Sequence, residues 1–297
     1  MSIMTKILAA KPVTAALVTE MQTQAASLTN QLGRKPKLVV VAAGDDPASA
    51  IYIRNKQRRA NTVGIDAVTE HLPVTARTAD VLAVVRRLNA DPTVDGMIVQ
   101  LPLPSGVDTE AIRNAVDPEK DVDGFTDVNL GRLWSTPKDR PITTLRPCTP
   151  RGIMKLLAFY NVSVAGKRAV ILGRSNIVGK PMAALLLHAN ATVTIAHSRT
   201  TNVQAILGDA DIIVAATGSA GLVTDADVKP GAVIIDVGMN RVATSDGQTK
   251  LVGDVDFDSV QHLASAITPV PGGVGPMTVN MLIYQTLEAA QRRADRQ

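Results

Sequence analysis

Apolar residues alternate in the chain between short unbroken runs and longer stretches with helical spacing. Lys37–Ala43 (KLVVVAA) is a continuous apolar run, the pattern of a strand buried on both faces. It stops at Gly44-Asp45-Asp46-Pro47, a turn signal. The segment Lys6–Leu32 reads as one amphipathic helix ending at Gly33, and Ser49–Val63 as a second, closed by Gly64. Asp66–Leu72 reads as a strand. Thr78–Asn89 is a helix with apolar Val81, Leu82, Val84, Val85 and Leu88, and Val94–Leu101 is a third strand. The proline-rich stretch from Pro102 to Pro150 breaks this rhythm and reads as irregular, the usual property of a functional loop or a linker. Beyond it the pattern resumes. Helix Gly152–Tyr160 precedes strand Arg168–Leu172, helix Met182–Ala189 and strand Ala191–His197. Helix Thr201–Gly208, strand Ile212–Thr217, a short helix or turn over Gly221–Val228, strand Ala232–Val237 and a final helix Met277–Arg293 complete the chain.

Strands alternating with helices imply a mostly parallel α/β sheet. The length of 297 residues suits two domains. The expected division is a first α/β domain over residues 1–149, completed by the last helix at 279–297, and a Rossmann-type domain over 150–278.

Composition narrows the function. Apolar residues make up 45% and charged residues 20%, so the chain is globular. Aromatics are only 2%, too few for a large base-stacking platform. The net charge of +4 suits an anionic small molecule. The densest basic clusters, Arg54–Arg59 and Arg292, Arg293 and Arg296, read first as solvated helix faces. Cys148 is the single cysteine, so no disulfide forms within the chain, and its setting between prolines suggests a structural role. The four histidines show no metal-ligand spacing, and no metal is expected. No apolar run reaches about 18 residues, and no signal-peptide core stands at the N-terminus. The expectation is a cytoplasmic protein that neither spans a membrane nor binds nucleic acid.

Two groups of residues carry candidate chemistry. Gly173-Arg-Ser-Asn-Ile-Val-Gly179 lies between a strand and a helix, with Ser175 where the usual G-x-G-x-x-G has its second glycine. Amides at a helix N-terminus attract phosphate, and Arg174 and Ser175 add donors. His197-Ser198-Arg199-Thr200 follows the next strand. No acid stands there for a ribose hydroxyl, and basic and hydroxyl groups suit the extra phosphate of NADP. The small residues Thr217, Gly218 and Gly238 would let a cofactor lie against the sheet. In the first half, Ser49, Tyr52 and Lys56 fall on one helix face. Taken alone, that is the pattern of an ordinary surface face. A desolvated lysine there would make a general base.

Further blocks change the picture. Ser49–Lys56, VDGMIVQLPLP (94–104), KDVDGF (120–125), RPCTPRG (146–152), GRSNIVGKP (173–181), ATVTIAHSRT (191–200), KPGAVIIDVGMN (229–240) and TPVPGGVGPMT (268–278) stand in one order. Together they resemble the methylenetetrahydrofolate dehydrogenase/methenyltetrahydrofolate cyclohydrolase family over nearly the whole chain. One departure is Thr126-Asp127, where bacterial members often carry His-Pro. The resemblance implies oxidation of 5,10-methylenetetrahydrofolate with NADP and hydrolysis of the methenyl product to 10-formyltetrahydrofolate, in a homodimer. It implies Lys56 as acid/base, Gln100 as its hydrogen-bond partner, Asp123 on the pterin ring, Tyr52 stacked on the aminobenzoyl group, and Pro271, Gly272 and Gly273 beside the folate. The cofactor residues it implies are Gly173, Arg174, Ser175, Val178, Gly179, Ser198, Thr217, Gly218, Gly238, Met239 and Thr278. Hydride transfer needs mainly orientation of two bound rings. Two other readings stand beside it: a different two-domain NADP dehydrogenase acting on a small keto or hydroxy acid, which shares the architecture, and a non-catalytic nucleic-acid binder exploiting the positive charge.

Overall fold

The computed structural model describes residues 4–243 and 248–296. In chain order its elements are β1 (Lys6–Ile7), α1 (Ala10–Leu32), β2 (Lys37–Ala43), α2 (Pro47–Val63), β3 (Asp66–Leu72), α3 (Thr78–Ala90), β4 (Gly96–Val99), α4 (Thr109–Ala115), α5 (Asp127–Ser135), α6 (Cys148–Phe159), β5 (Arg168–Leu172), α7 (Gly179–His188), β6 (Thr192–Ala196), α8 (Val203–Gly208), β7 (Ile212–Ala215), β8 (Val233–Asp236), β9 (Asn240–Ala243), β10 (Thr249–Val252), α9 (Phe257–Val260), β11 (Ala266–Ile267) and α10 (Val274–Ala294). They divide into two compact units. The first holds residues 15–135, 142–148 and 279–296; the second holds 4–14, 136–141 and 149–278.

The first unit is built on a parallel sheet in the order β3-β2-β4. Val39 of β2 stands beside Val68 of β3 and Met97 of β4. As the central strand, β2 is buried along nearly its whole length, which is why its sequence is unbroken apolar. Helix α3 turns Val81, Val85 and Leu88 onto this sheet, where they join Val41, Met97 and Ile112 in one core. Helix α2 starts two residues before the expected Ser49. Pro47 opens it with a pre-set φ, and the Asp46 carboxylate accepts the Ser49 N–H at 2.8 Å. Gly64 ends it in the left-handed region at φ 100°.

The stretch 102–150 is not wholly irregular. It contains α4 and α5, of seven and nine residues. Two turns are too few to establish a period against the surrounding prolines. The buried Lys120 closes the far end of α3. Its ammonium donates to the carbonyls of Leu88, Asn89 and Asp91 at 2.8, 2.7 and 2.7 Å. The carbonyls of Leu88 and Asn89 lie in the last turn of the helix and that of Asp91 at its cap, where a cation also meets the negative end of the dipole.

The second unit carries a six-stranded parallel sheet in the order β1-β11-β8-β7-β5-β6. The chain runs from β5 to β6 on one side, then crosses to β7 on the other, so the strand order reverses at β5. That reversal is the position where open α/β sheets bind ligands. Val170, Leu172, Ile213, Ile234 and Ile267 fill the core beneath α8 and α9. The N-terminal segment differs from the single helix expected over Lys6–Leu32. Lys6 and Ile7 pair with Ala266 and Ile267 as an edge strand, and the helix begins at Ala10. A two-residue strand leaves no periodic trace in sequence. The antiparallel pair β9–β10, with Asn240 opposite Val252, likewise lay outside the expected pattern. Helix α10 starts at Val274 rather than Met277, because Pro276 falls in the first turn, where its missing N–H costs nothing.

Replacing Lys120 with Met should leave the Leu88 and Asn89 carbonyls without this donor, with only Val94 N–H remaining on Asp91, and lower the stability of the protein by about 2–4 kcal/mol. Urea unfolding followed by far-ultraviolet circular dichroism measures this. An unchanged midpoint would show that the three contacts contribute nothing.

Candidate active site

In the first unit, α2 and the end of β4 bring two side chains together. The Lys56 ammonium donates to Gln100 Oε1 at 3.0 Å. Gln100 is itself fixed: its Nε2 donates to the Leu101 carbonyl at 2.7 Å, and its backbone N–H donates to Val41 at 2.8 Å. Tyr52 lies one turn before Lys56 on the same helix and is half exposed, at 51%. Ser49 belongs to the helix cap, where its hydroxyl donates to Asp46 at 2.7 Å.

Asp123 projects from a loop that is held from beneath. The buried Asp121 carboxylate accepts the backbone N–H groups of Gly124, Phe125 and Thr126 at 2.9, 3.2 and 2.8 Å, and the Asn129 amide at 2.9 Å. Gly124 has φ 73°, and a Cβ there would lie 2.2 Å from the Arg146 carbonyl carbon. Only glycine fits both constraints. Gln285 of α10 closes the loop from the other side. It is fully buried, donates to the carbonyls of Val122 and Arg146 at 2.8 Å each, and accepts the Arg146 N–H at 2.9 Å. The Cys148 thiol donates to the same Val122 carbonyl at 3.2 Å, which gives the single cysteine a structural place. Thr126, the departure from the bacterial pattern, accepts the Asn129 N–H at 3.3 Å and so caps α5.

Burial pushes the Asp123 carboxyl up to about 6, against the pull of the Lys56 ammonium and with a further push from Asp121. A narrow apolar crevice beside Asp123 is lined by Val99, Leu101, Arg113 and Phe125. Gln100 also borders a cavity of about 410 Å3 lined by Gly44, Ser49, Arg54, Thr69 and His71.

In the second unit, Gly173–Gly179 connects β5 to α7. Gly173 has φ 115°, and a Cβ there would stand 2.3 Å from the Ala216 carbonyl oxygen. The loop is therefore pressed against the end of β7. One expectation changes here. The Val178 and Gly179 N–H groups at the helix start donate to Ser175 Oγ at 3.1 and 3.4 Å, so the serine already occupies them. What remains for a phosphate is the backbone earlier in the loop and the exposed side chain of Arg174. After β6, His197 and Thr200 close a tight turn through His197 N–H to Thr200 Oγ1 at 2.9 Å, leaving Ser198 and Arg199 exposed at its tip. Glycine in contact with backbone, an exposed serine and arginine and no acid make a donor set that fits a phosphorylated dinucleotide.

Thr217 and Gly218 follow β7, and Gly238 and Met239 follow β8. Two buried carboxylates, Asp254 and Asp236, bind these turns from behind. Burial pushes Asp236 up to about 6, against three backbone donors and with the Asp254 charge adding to the rise. Asp121 lies in the KDVDGF block and Asp236 in KPGAVIIDVGMN, but the residue spacing gave no sign of their supporting work, nor of Asp254 or Gln285. Pro271, Gly272 and Gly273 also belong to this unit, with the Gly272 carbonyl accepting Ala10 N–H at 2.8 Å. The Thr278 hydroxyl meets that of Thr149 at 2.9 Å. A cavity of about 490 Å3 lined by Asp236, Lys250, Phe257 and Pro269 includes none of the expected cofactor residues. Among the described residues, no cluster of three His, Cys, Asp or Glu is placed to hold a metal ion, and no helix is long and apolar enough to cross a membrane.

Two family models match the chain. The tetrahydrofolate dehydrogenase/cyclohydrolase catalytic domain covers residues 8–123, and the NAD(P)-binding domain of the same family covers 147–294. The bifunctional protein FolD of Streptococcus pneumoniae is 50% identical over 293 residues, 99% of this chain and 100% of that protein. FolD of Lactiplantibacillus plantarum is 51% identical over 289 residues, 97% of this chain and 98% of that protein. Among solved structures, the Campylobacter jejuni bifunctional enzyme FolD superposes with a TM-score of 0.92 at 40% identity, covering 97% of this chain and 99% of that one. The Trypanosoma brucei enzyme, complexed with NADP cofactor and inhibitor, gives 0.89 at 38% identity, covering 97% and 98%.

The raised Asp123 carboxyl makes stability depend on pH. Between roughly pH 4 and 6 this group stays protonated in the folded chain and ionises in the unfolded one, so stability falls as pH rises through that window. Asp123→Asn should therefore gain stability relative to wild type from pH 4 to 6, measured as urea midpoints. Parallel profiles for the two proteins would contradict the desolvated setting of Asp123.

Proposed function

The chain belongs to the tetrahydrofolate dehydrogenase/cyclohydrolase family, and from that premise we propose that it oxidises 5,10-methylenetetrahydrofolate with NADP and hydrolyses the resulting methenyl cation to 10-formyltetrahydrofolate. The observation that carries the hydrolytic half is the Lys56–Gln100 hydrogen bond beside Asp123. Hydrolysis needs one group that takes a proton from water and returns one to a leaving nitrogen. Water adds to the bridging carbon as its proton passes to the Lys56 amine. The bond from that carbon to N5 then breaks, and N5 takes a proton from Lys56. The carbinol oxygen releases its own proton as the formyl group forms. Gln100, anchored to Leu101 and Val41, holds Nζ in one place through both transfers. Asp123 binds the pterin ring, Tyr52 stacks on the aminobenzoyl group, and Pro271, Gly272 and Gly273 border the folate.

For the oxidative half, bound NADP supplies the hydride acceptor. Gly173, Arg174, Ser175, Ser198, Thr217, Gly218, Gly238, Met239 and Thr278 hold it, and Val178 and Gly179 border it while their N–H groups stay on Ser175 Oγ. Ser198 and Arg199, with no acid in their turn, favour the 2′-phosphate over a bare ribose hydroxyl. We assign folate binding to 1–149 with 279–297 and NADP binding to 150–278. The protein works as a cytoplasmic homodimer in one-carbon metabolism, supplying formyl groups for purine synthesis, without a nucleic-acid partner.

Lys56→Met should lower cyclohydrolase turnover by about 100-fold or more, the usual contribution of a positioned acid/base. The methenyltetrahydrofolate absorbance decay measures it, and NADPH formation from methylenetetrahydrofolate in the same variant confirms that both ligands still bind. Wild-type hydrolysis in Lys56→Met would remove it as the acid/base. Failure of the wild-type protein to reduce NADP with methylenetetrahydrofolate would overturn the proposed function itself.

A further inference from the structure

The buried acids of the second unit form a continuous chain of hydrogen bonds. Asp254 Oδ2 accepts the Thr217 N–H at 2.6 Å, the Thr217 hydroxyl at 3.0 Å and the Gly218 N–H at 2.9 Å. Its Oδ1 accepts the Asn240 amide at 2.9 Å. The Asp254 backbone N–H then donates to Asp236 Oδ1 at 2.9 Å. That oxygen also accepts the Gly238 N–H at 2.9 Å, and Asp236 Oδ2 accepts Val255 N–H at 3.0 Å. In the sheet, Leu172 of β5 pairs with Ala215 of β7, and Ala215 pairs with Asp236 of β8. The turns at 217–218 and 238–239 therefore leave adjacent strands at the carboxyl edge of the sheet, next to the glycine loop.

We infer that the Asp236–Asp254 pair is a positioning device for the dinucleotide: it sets the two strand-end turns in register with each other without touching the cofactor. The inference rests on the reading that Thr217, Gly218, Gly238 and Met239 meet NADP. Two features separate it from simple loop support. Asp254 is fully buried and Asp236 is 3% exposed. Placing two carboxylates so close is costly unless each oxygen is filled with donors, so the network has one satisfied geometry and few near it. Asp254 also sets the direction of a ligand contact. It takes the Thr217 hydroxyl proton, so Thr217 Oγ1 keeps lone pairs only. One of these accepts the Ser219 N–H at 3.3 Å. Any ligand group meeting that oxygen must donate, as a ribose hydroxyl or a carboxamide N–H does.

Asp254→Asn is nearly isosteric but defeats this arrangement in either orientation. With the amide toward Thr217 and Gly218, its NH2 faces three donors; turned over, it requires Asn240 to turn as well, and in both cases the charge is gone. The loss of charge-assisted bonds should raise the Kd for NADP by about tenfold or more in calorimetric titration of the full-length protein. Hydrolysis of methenyltetrahydrofolate, which uses no NADP, should stay within about twofold of wild type, since the reacting residues lie in the other unit. Asn240→Ala removes one donor, keeps the carboxylate, and should raise the Kd by about two- to threefold. Hydrogen exchange in the wild type, with and without NADP, tests the underlying assignment separately: peptides covering 215–219 and 237–240 should gain protection. Protection there with an unchanged Kd in both variants would overturn the positioning role alone. Absence of protection would overturn the cofactor assignment of these turns, and the inference with it. Parallel loss of hydrolysis and NADP binding in Asp254→Asn, with no change in Asn240→Ala, would reduce the pair to a structural support.

Discussion

A carboxylate buried against backbone N–H groups is the interaction on which both halves of this protein depend. An ionised carboxylate accepts and never donates, so it fits only where donors converge on both oxygens. Out of water it tolerates few alternatives. Asp121 gathers three consecutive amides of the 124–126 segment. Asp236 and Asp254 gather the turns after β7 and β8. Asp95, also buried, takes the Lys37 N–H and both Arg34 Nη atoms, and so ties the start of β2 to the segment entering β4. Each acid converts a flexible connection into one with a single satisfied conformation. Asp123 and the turns after β7 and β8 then inherit that conformation from their loops.

The support of the site is thereby separated from its reactivity. Lys56 and Lys120 illustrate the contrast. Lys120, the lysine of the KDVDGF motif, spends its ammonium on three helix-end carbonyls. Lys56 donates to a single amide oxygen and is only partly buried. Residues of one type are thus assigned different work by the number of acceptors around them. The same division holds among the acids. Asp121 is saturated with donors, whereas Asp123 belongs to the loop that Asp121 holds and keeps a carboxyl raised by burial.

Much of the fold was legible in the chain. The bounds of β2, β3 and β5 coincide with those expected, because nearby Gly and Pro punctuate their ends. The helices α4 and α5 were hidden by shortness and proline, and β1 and β11 by having two residues each. Of the site, residues that bear recognisable chemistry in recognisable spacing, such as Lys56 and Gly173, could be singled out. Asp236, Asp254 and Gln285 could not, and Asp121 stood out only as one carboxylate of its block, not as the loop's support. Their work is to accept or donate across loops far apart in sequence, as Gln285 does for Val122 and Arg146. A polar residue beside glycine looks the same whether it faces water or is buried beneath a turn.

The most direct test is hydrogen exchange at the Gly124, Phe125 and Thr126 amides in Asp121→Asn. These three amides should lose protection and cyclohydrolase turnover should fall with them, while the affinity for NADP, proposed to bind at turns set by other buried acids, is retained. Full protection and wild-type turnover in Asp121→Asn would contradict the claim that a buried carboxylate fixes the functional loop.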